Sequence, residues 1–535
     1  MSLEPANALS CTGRGKQSVL EDVVYDELER AVGKDNISRE PAVLDGYAWQ
    51  PFHKTDPDFW IHRPEAVVLP SCTEEVQAVV RICGERRARF KALSTGWGAH
   101  AGPGGEGVVQ IDLRRMDRIL DIDEKNMYAV VEPYAICAQV QAEAMQRGLN
   151  LHIIGAGCGT SPLASCTSHI GMGWSGIYMG FNGRNLLGAE WVLPSGDLLR
   201  IGMPGSGEEW FNGDGPGPSL RGIMRGWGGA DGGLGVFTRI ALKLYHWPGP
   251  PRVEVAGGAF DGQVRVPEFS RVYMCHFPSY ESWADAAYRI GEAEIGYIMC
   301  KNAVGLTMAS MMPRLWRRLQ GKTALRSALR AYQHTFQFVI AAGSSGEFDY
   351  QEGCLKRIVD EVGGFLQDLK HFPSLQGVFW WGLVRAHMPP VIFRCGGNFF
   401  TAFGGDESVD NTVLQAKHGE TIKNRYIEKG LLCDDLGDNA WGGPYENGLF
   451  NHQEELAIFD SRRPEQFQAI EEFARECAEA TIEHHLGGVG FAFFAGTEAH
   501  ERFGPDVCNY HLWQRGVKRL LDPDDLSDST YYIQP

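Results

Sequence analysis

No two of the 13 cysteines in this 535-residue sequence stand in a C-x-x-C spacing; the nearest pair is Cys158 and Cys166. A zinc ribbon or an iron–sulfur cluster built on a compact Cys run is thereby excluded, and no metal site is expected. The odd, scattered set reads as reduced, buried thiols of a cytoplasmic protein. Long apolar runs are also missing: none approaches the roughly 18 residues of a transmembrane helix, so no membrane span is expected. The start, Met1-Ser2-Leu3-Glu4-Pro5, has neither the basic nor the apolar region of a secretory signal. Positive charge is in short supply, 50 Lys+Arg against 67 Asp+Glu for a net charge of -17. That disfavours nucleic acid or an anionic membrane as the main partner. With 44% hydrophobic and 22% charged residues, neither disorder nor a fibrous repeat fits. The length suits two or three domains.

Glycine is what the sequence has in excess: 66 residues, about 12% against an average near 7%. The glycines gather at 94–107, 155–188 and 202–235. Concentrated glycine brings backbone close to something. Around the first block, 19–32 reads as an amphipathic helix and 66–70 as a strand ended by Pro70. Thr73 is the expected N-cap of a helix through Val76, Val79, Val80 and Cys83. Strands follow at 90–93, 108–113 and 127–132, then a helix at 136–148. A hairpin spans 188–201 with its turn at Pro194-Ser195-Gly196-Asp197, and 234–244 reads as a strand. Trp247-Pro248-Gly249-Pro250-Pro251 is the clearest boundary. Beyond it, strands at 271–277, 296–301 and 335–341 alternate with helices at 281–291, 314–332 and 351–369, an α+β layer with one helical face. Helices at 464–486 and 506–521 close the chain.

Gly96-x-Gly98-x-x-Ala101 fits the dinucleotide fingerprint formally. The fingerprint needs a helix after it, but Gly102-Pro103-Gly104-Gly105 and another strand follow, so the Rossmann reading is rejected. Small residues at Ser94-Thr95-Gly96-Trp97-Gly98-Ala99-His100-Ala101 can still form an anion-binding nest with hydroxyl donors. The alternative is a plain Gly-rich turn between strands. A second small, hydroxylated block, Gly157-Cys158-Gly159-Thr160-Ser161-Pro162-Leu163-Ala164-Ser165-Cys166-Thr167-Ser168, suggests a long ligand with a diphosphate in its middle.

Several motifs together resemble the FAD-binding domain of the vanillyl-alcohol oxidase / p-cresol methylhydroxylase (PCMH-type) superfamily. They are 66–70 with Glu74-Glu75-Val76, then Ser94-Thr95-Gly96, Ile111-Asp112-Leu113-Arg114-Arg115-Met116, Val131-Glu132-Pro133 and Gly188-Ala189-Glu190-Trp191-Val192-Leu193-Pro194-Ser195-Gly196-Asp197. Leu220-Arg221-Gly222, Gly235-Val236-Phe237-Thr238 and the closing Gly516-Val517-Lys518-Arg519-Leu520-Leu521-Asp522-Pro523 continue the likeness. The resemblance implies an α+β fold: an N-terminal segment (1–60), a two-subdomain FAD-binding domain (61–247), an α+β cap with an antiparallel sheet (248–500), and a C-terminal segment (501–535) returning to the FAD domain. It implies FAD, held non-covalently because His100 is displaced from the usual attachment position. Residues 94–101 would cradle the pyrophosphate. Gly157, Gly159, Thr160, Pro162, Leu163, Ser165 and Ser168 would line the flavin, and Gly235 and Val236 would touch the cofactor through backbone.

The cap departs from both familiar branches. The alkylphenol branch has a Tyr–Arg pair binding the phenolate, where this chain has His452 and Gln453, and its acidic residue would fall near Phe181-Asn182. The 2-hydroxy-acid branch has G-D-G-N-L-H and E-H-G motifs, and neither occurs. His452, Tyr445 and Arg394 remain as catalytic candidates, with Tyr510 and His511 added by the family's C-terminal return to the flavin. Each has a competing structural reading, and the acidic run 434–438 reads as a solvated loop. The expected activity is an FAD-linked oxidoreductase acting on CH-OH or CH donors, taking a hydride from an alcohol-bearing small molecule of 4-hydroxybenzyl or alkylphenol type. A 2-hydroxy-acid dehydrogenase and a catalytically decayed subunit of a redox complex are the alternatives. A separate electron acceptor (oxygen, a cytochrome, an electron-transfer flavoprotein or an iron–sulfur subunit) and a homo-oligomer are expected.

Overall fold

The structure is a computed structural model describing residues 20–48, 62–96, 101–155, 157–168, 171–202, 219–225, 228–257, 263–302, 305, 313–319, 329–330, 332–386, 399–437, 441–460, 462–487, 497–530 and 533. Its first unit is a strand–helix–strand crossover. Ala66–Val68 and Arg89–Leu93 flank Val108–Asp112, all parallel, and Ile37–Ser38 joins the edge antiparallel. The connecting helix Thr73–Arg86 buries Val76, Val79, Val80 and Cys83 on one stripe. That stripe packs on the sheet together with Val24, Leu28 and Val32 of the helix Asp22–Val32.

Thr73 is not the N-cap. It is the first helical residue, and its hydroxyl donates to buried Glu190 Oε1 at 2.7 Å, tying the helix to the second sheet. The Glu75 carboxylate serves this helix start instead, accepting from Ser71 N and Oγ.

The second sheet is antiparallel, in the order Ile119–Asp123, Tyr128–Val131, Val236–Lys243, Leu186–Val192, Leu198–Ile201. Its hairpin closes where Leu193 N and Gly196 N bond the Asp197 and Leu193 carbonyls, with Gly196 at φ +83. The strand Ile119–Asp123 adds to the sequence reading; its exposed Leu120 and acidic Asp121 hide its pattern.

The cap is one seven-stranded antiparallel sheet. Its order is Phe365–Asp368, Ser270–Phe277, His334–Ala341, Ile298–Asn302, Trp441–Tyr445, Phe450–Ile458, Phe399–Glu407. Period-two alternation splits its faces. Tyr273, Cys275, Phe277, Phe336 and Phe338 meet the helices Tyr280–Glu292, Ser345–Glu361 and Val409–Glu428. Val272, Ile298, Cys300, Val339 and Ala341 share a core with Leu151, Trp191 and Phe237 of the cofactor-domain side. The cap sheet is thus seated face-down on the domain it covers.

Two expectations in the cap are corrected. The helix expected over 351–369 stops at Glu361, because Gly363 takes φ +74 and residues 365–368 become an edge strand against Ser270–Phe277. A Cβ at Gly364 would come 2.9 Å from the His276 carbonyl, so helical periodicity yields to a glycine pair where two backbones meet. The acidic run is not wholly solvated either. Asp435 is fully buried, 2.7 Å from Lys423 Nζ, which also reaches Glu455 at 2.9 Å. Burial pushes the Glu455 carboxyl up to about 8 against the lowering effect of Lys423.

After the helix Tyr510–Leu521 the chain returns to the first sheet. Phe90 N donates to the Leu526 carbonyl and Asp528 N to the Phe90 carbonyl, a parallel bridge at Ser527.

Candidate cofactor groove and active site

Three small-residue segments converge on one groove. The first is the end of Arg89–Leu93, where Ser94, Thr95 and Gly96 (φ +74) leave the strand. The second is the short helix Pro162–Thr167, started by Pro162 and capped by Ser161, whose Oγ accepts from Ala164 N. Ser161 N donates to Thr95 Oγ1 at 3.0 Å, stitching the two segments together. The third runs from Asp231 to Phe237. There Gly235 (φ +99) lies so close to the neighbouring strand that a Cβ would meet the Val192 carbonyl at 2.2 Å. The groove encloses about 880 Å³ of free space, solvent at its mouth included. That falls within the roughly 300–1,000 Å³ of ligand sites.

Of the residues expected around the cofactor, Ser94, Thr95, Gly96, Ala101, Thr160, Leu163, Ser165, Ser168 and Gly235 line this groove. Gly157, Gly159, Pro162 and Val236 do not. Gly157 (φ +109) shapes the turn by accepting from Thr160 Oγ1, Pro162 starts the helix, and Val236 belongs to the core between the sheets. Trp97, Gly98, Ala99 and His100 lie outside the described residues. The sequence reading missed Lys91, Asp231, Gly232 and Phe237 in the lining. Lys91 sits in the strand Arg89–Leu93 and is buried, which a Lys in a strand does not announce. Asn182 is buried and donates to Ser165 Oγ at 2.7 Å, so it supports the groove wall from behind.

On the cap side, Trp441 and Tyr445 stand at the two ends of the strand Trp441–Tyr445, and His452 is on the next strand. Ile154 lines the groove, and at the next residue, Gly155, a Cβ would strike the Trp441 indole at 2.6 Å. Trp441 meets His452 edge-on, ring centroids 4.8 Å apart. The His452 side chain is fully buried, with Nδ1 2.8 Å from Asp406 Oδ1 and Nε2 3.2 Å from Glu454 Oε1. Burial lowers its pKa, but the hydrogen bond and charge of Asp406, then those of Glu454, outweigh burial and lift it to about 9. At neutral pH the ring is an imidazolium and cannot accept a proton as a general base.

Tyr445 is a structural lock. Its hydroxyl donates to the Gly173 carbonyl at 2.7 Å and accepts from Gly173 N at 2.8 Å, pinning the cap to the domain below. Burial pushes the phenol far up, so it does not ionise. His152, on its other side, hydrogen-bonds Ser175 Oγ and the Gly171 carbonyl; burial lowers its pKa to about 4. Tyr510 and His511 do not reach the groove. Tyr510 is half exposed and stacks on Trp513, and His511 is buried against Gly504. Arg394 lies outside the described residues. Among the described residues no three His, Cys, Asp or Glu side chains are grouped to hold a metal ion. No described helix is long and apolar enough to cross a membrane.

A family model described as "FAD binding domain" matches residues 64–202. The chain superposes on p-cresol methylhydroxylase with substrate bound at a TM-score of 0.73, over 96% of both chains, with 16% identity. Residues 64–202 are thus an FAD binding domain, and the whole chain has the fold of p-cresol methylhydroxylase. A 4-ethylphenol oxidase from Gulosibacter chungangensis has the same fold at a TM-score of 0.69 and 17% identity, covering 96% of this chain and 97% of its own. Among curated relatives, 1'-carboxy-chondrochloren decarboxylase of Chondromyces crocatus is 31% identical over 196 residues, 35% of each chain. The 4-cresol dehydrogenase [hydroxylating] flavoprotein subunit of Pseudomonas putida is 31% identical over 198 residues, 36% of each. The probable mitochondrial D-lactate dehydrogenase of Danio rerio is 26% identical over 274 residues, 50% of this chain and 49% of its own. The chain spans about a third to a half of the length of these curated relatives.

FAD is the cofactor of this FAD binding domain, and the groove suits it. Hydroxyls of Ser94, Thr95, Thr160, Ser165, Thr167 and Ser168 are there for a diphosphate and a ribityl chain. Leu93, Leu113, Ile154, Leu163 and Phe237 offer apolar walls for flat rings. The glycines keep side chains out of the way.

Proposed function

We propose that this flavoprotein is a dehydrogenase or oxidase that removes a hydride from the carbon of an alcohol-bearing small molecule, of 4-hydroxybenzyl or alkylphenol type. The observation that carries this reading is the junction of groove and cap, where the Trp441 indole rests on Gly155 next to the groove-lining Ile154. An aromatic wall there fits a flat substrate better than a small 2-hydroxy acid. FAD supplies the two-electron acceptor. The substrate C–H breaks with its electron pair leaving as hydride, the hydroxyl proton passes to a base, and a carbonyl compound is released. Trp441 orients the substrate ring. His452 acts through Trp441 as a positioning residue, and its buried positive charge favours a developing alkoxide or phenolate nearby. Electrons then leave to a separate acceptor, which is oxygen, a cytochrome, an electron-transfer flavoprotein or an iron–sulfur subunit. The name of the Pseudomonas relative, a flavoprotein subunit, supports a protein acceptor. We place the protein in the cytoplasm as a homo-oligomer; the free thiols among the described residues support that location.

The D-lactate dehydrogenase likeness over half the chain favours a second reading, a 2-hydroxy-acid dehydrogenase. Anaerobic bleaching of the bound flavin separates the two. Hydroxybenzyl alcohols and alkylphenols should bleach it within seconds to minutes, and lactate and glycolate should not. Bleaching by the hydroxy acids alone would transfer the assignment to them. A flavin that dithionite reduces and no substrate bleaches would mark a subunit whose redox site has decayed.

A further inference from the structure

We propose that Lys91 binds the diphosphate of the cofactor, as the one cation among the described residues of the Ser/Thr/Gly groove. The inference rests on the FAD assignment and adds to it a residue that a Gly/Ser/Thr motif does not include. Lys91 and Asp231 are the charged residues among those lining the groove. Lys91 is only 2% exposed, and a lysine that deep normally carries a partner of opposite charge. Its described hydrogen bond is a single one, Nζ to the neutral Asp231 carbonyl at 3.0 Å, although an ammonium has three N–H groups to place.

The surroundings leave room for an anion. A Cβ on Gly232 would stand 3.1 Å from Nζ, so the absence of a side chain there keeps the ammonium uncovered. Asp231 (φ +40) and Gly232 (φ +75) are both left-handed, the kind of turn that aims backbone N–H groups at an anion. Ser527 holds this turn in place: its Oγ donates to the Gly232 carbonyl and accepts from Gly235 N. Lys91 itself is fixed by Gln110, whose Nε2 donates to the Lys91 carbonyl. Lys91 lines the groove together with Leu93, the last residue of its strand, and with Ser94 and Thr95 of the hydroxyl-bearing turn that follows.

Charge balance agrees. Burial lowers the Lys91 pKa, opposed by Asp231 and Asp528, while burial pushes the Asp231 carboxyl well up toward its neutral form. A site that disfavours both its own charges gains most from a guest that is a permanent anion, and in oxidised FAD that is the diphosphate.

The test compares FAD with riboflavin, which has no phosphate, in fluorescence titrations of the deflavinated full chain at low and high salt. Lys91→Gln should weaken FAD about 10- to 100-fold, the range for a lost charge-assisted bond. It should leave riboflavin within about twofold and flatten the salt dependence of FAD binding. Lys91→Arg should recover most of the loss. Asp231→Asn, which tolerates the left-handed backbone, should bind FAD as well as wild type or better. Three results would overturn the proposal: FAD binding by Lys91→Gln within twofold of wild type, equal loss of FAD and riboflavin, or an Asp231→Asn defect as large as that of Lys91→Gln. A wild-type chain that bound neither flavin would fail the FAD assignment itself, with Lys91 falling alongside it.

Discussion

Replacing Asp406 by Asn tests whether His452 is an imidazolium buried under the cap. In the native protein the ring is fully buried, 2.8 Å from Asp406 and 3.2 Å from Glu454, and its pKa rises from 6.5 to about 9. A folded pKa above the unfolded one means the folded state holds the proton more tightly. The resulting stability is fully present below pH 6.5, declines as pH rises, and is gone above about 9. At about 1.4 kcal/mol per pH unit of difference, it amounts to about 3 kcal/mol. Asp406→Asn keeps the side-chain shape and removes the stronger partner. Most of that stability should therefore disappear at pH 6 and little of it at pH 9.5. Glu455, lifted to about 8 by burial, also destabilises the cap as it ionises. Its slope runs in the same direction but is common to both proteins, so the wild-type-minus-variant difference cancels it. Urea unfolding followed by Trp fluorescence at half-unit steps from pH 6 to 9.5 gives that difference. A gap of about 2–3 kcal/mol at pH 6 should close by pH 9.5. A gap independent of pH would refute the reasoning. So would a histidine NMR signal, absent from His452→Gln, that titrates at or below 6.5.

Tyr445→Phe leaves the Gly173 N–H and carbonyl without their buried partner; at about 1–3 kcal/mol each, thermal unfolding should register a loss of about 2–5 kcal/mol. With the hydroxyl engaged by Gly173 on both counts, flavin bleaching rates at temperatures where the variant is folded should stay within about threefold of wild type. Ser527→Ala frees the Gly232 carbonyl and Gly235 N–H at the groove wall, so FAD affinity should fall about tenfold, read by fluorescence titration. Acid precipitation should release all of the flavin into the supernatant; yellow colour retained in the pellet would show a covalent bond.

How much of this was legible in the sequence depended on how local its cause was. The crossover from Ala66–Val68 to Val108–Asp112 was readable because each piece announces itself: a Pro after the first strand, a 3–4 stripe in the helix, small residues after the second strand. The hairpin Leu186–Val192/Leu198–Ile201 was readable for the same reason, since a Pro-Ser-Gly-Asp turn fixes its own register. The strand Phe365–Asp368 was not. Its neighbour Ser270–Phe277 is some ninety residues away in the chain, and the Gly363–Gly364 pair that ends the helix takes its meaning only from that pairing.

The candidate site divides along the same line. Its glycine and hydroxyl lining is a local composition, visible in two short blocks. Its charges are decided by distance in space. Lys91 looks like an ordinary strand lysine until the Asp231–Gly235 turn and the returning 526–530 segment bury it. His452 reads as a possible base until Asp406, from the adjoining strand Phe399–Glu407, meets it at 2.8 Å and makes it a cation. Residue type alone gave His452 and Tyr445 their catalytic reading; partners from distant segments set the charge of the one and hold the hydroxyl of the other. The same rule bears on Lys91: its role follows from a neighbourhood built by three segments, so disturbing the returning C-terminal segment should weaken FAD binding without any change in the residues that line the groove.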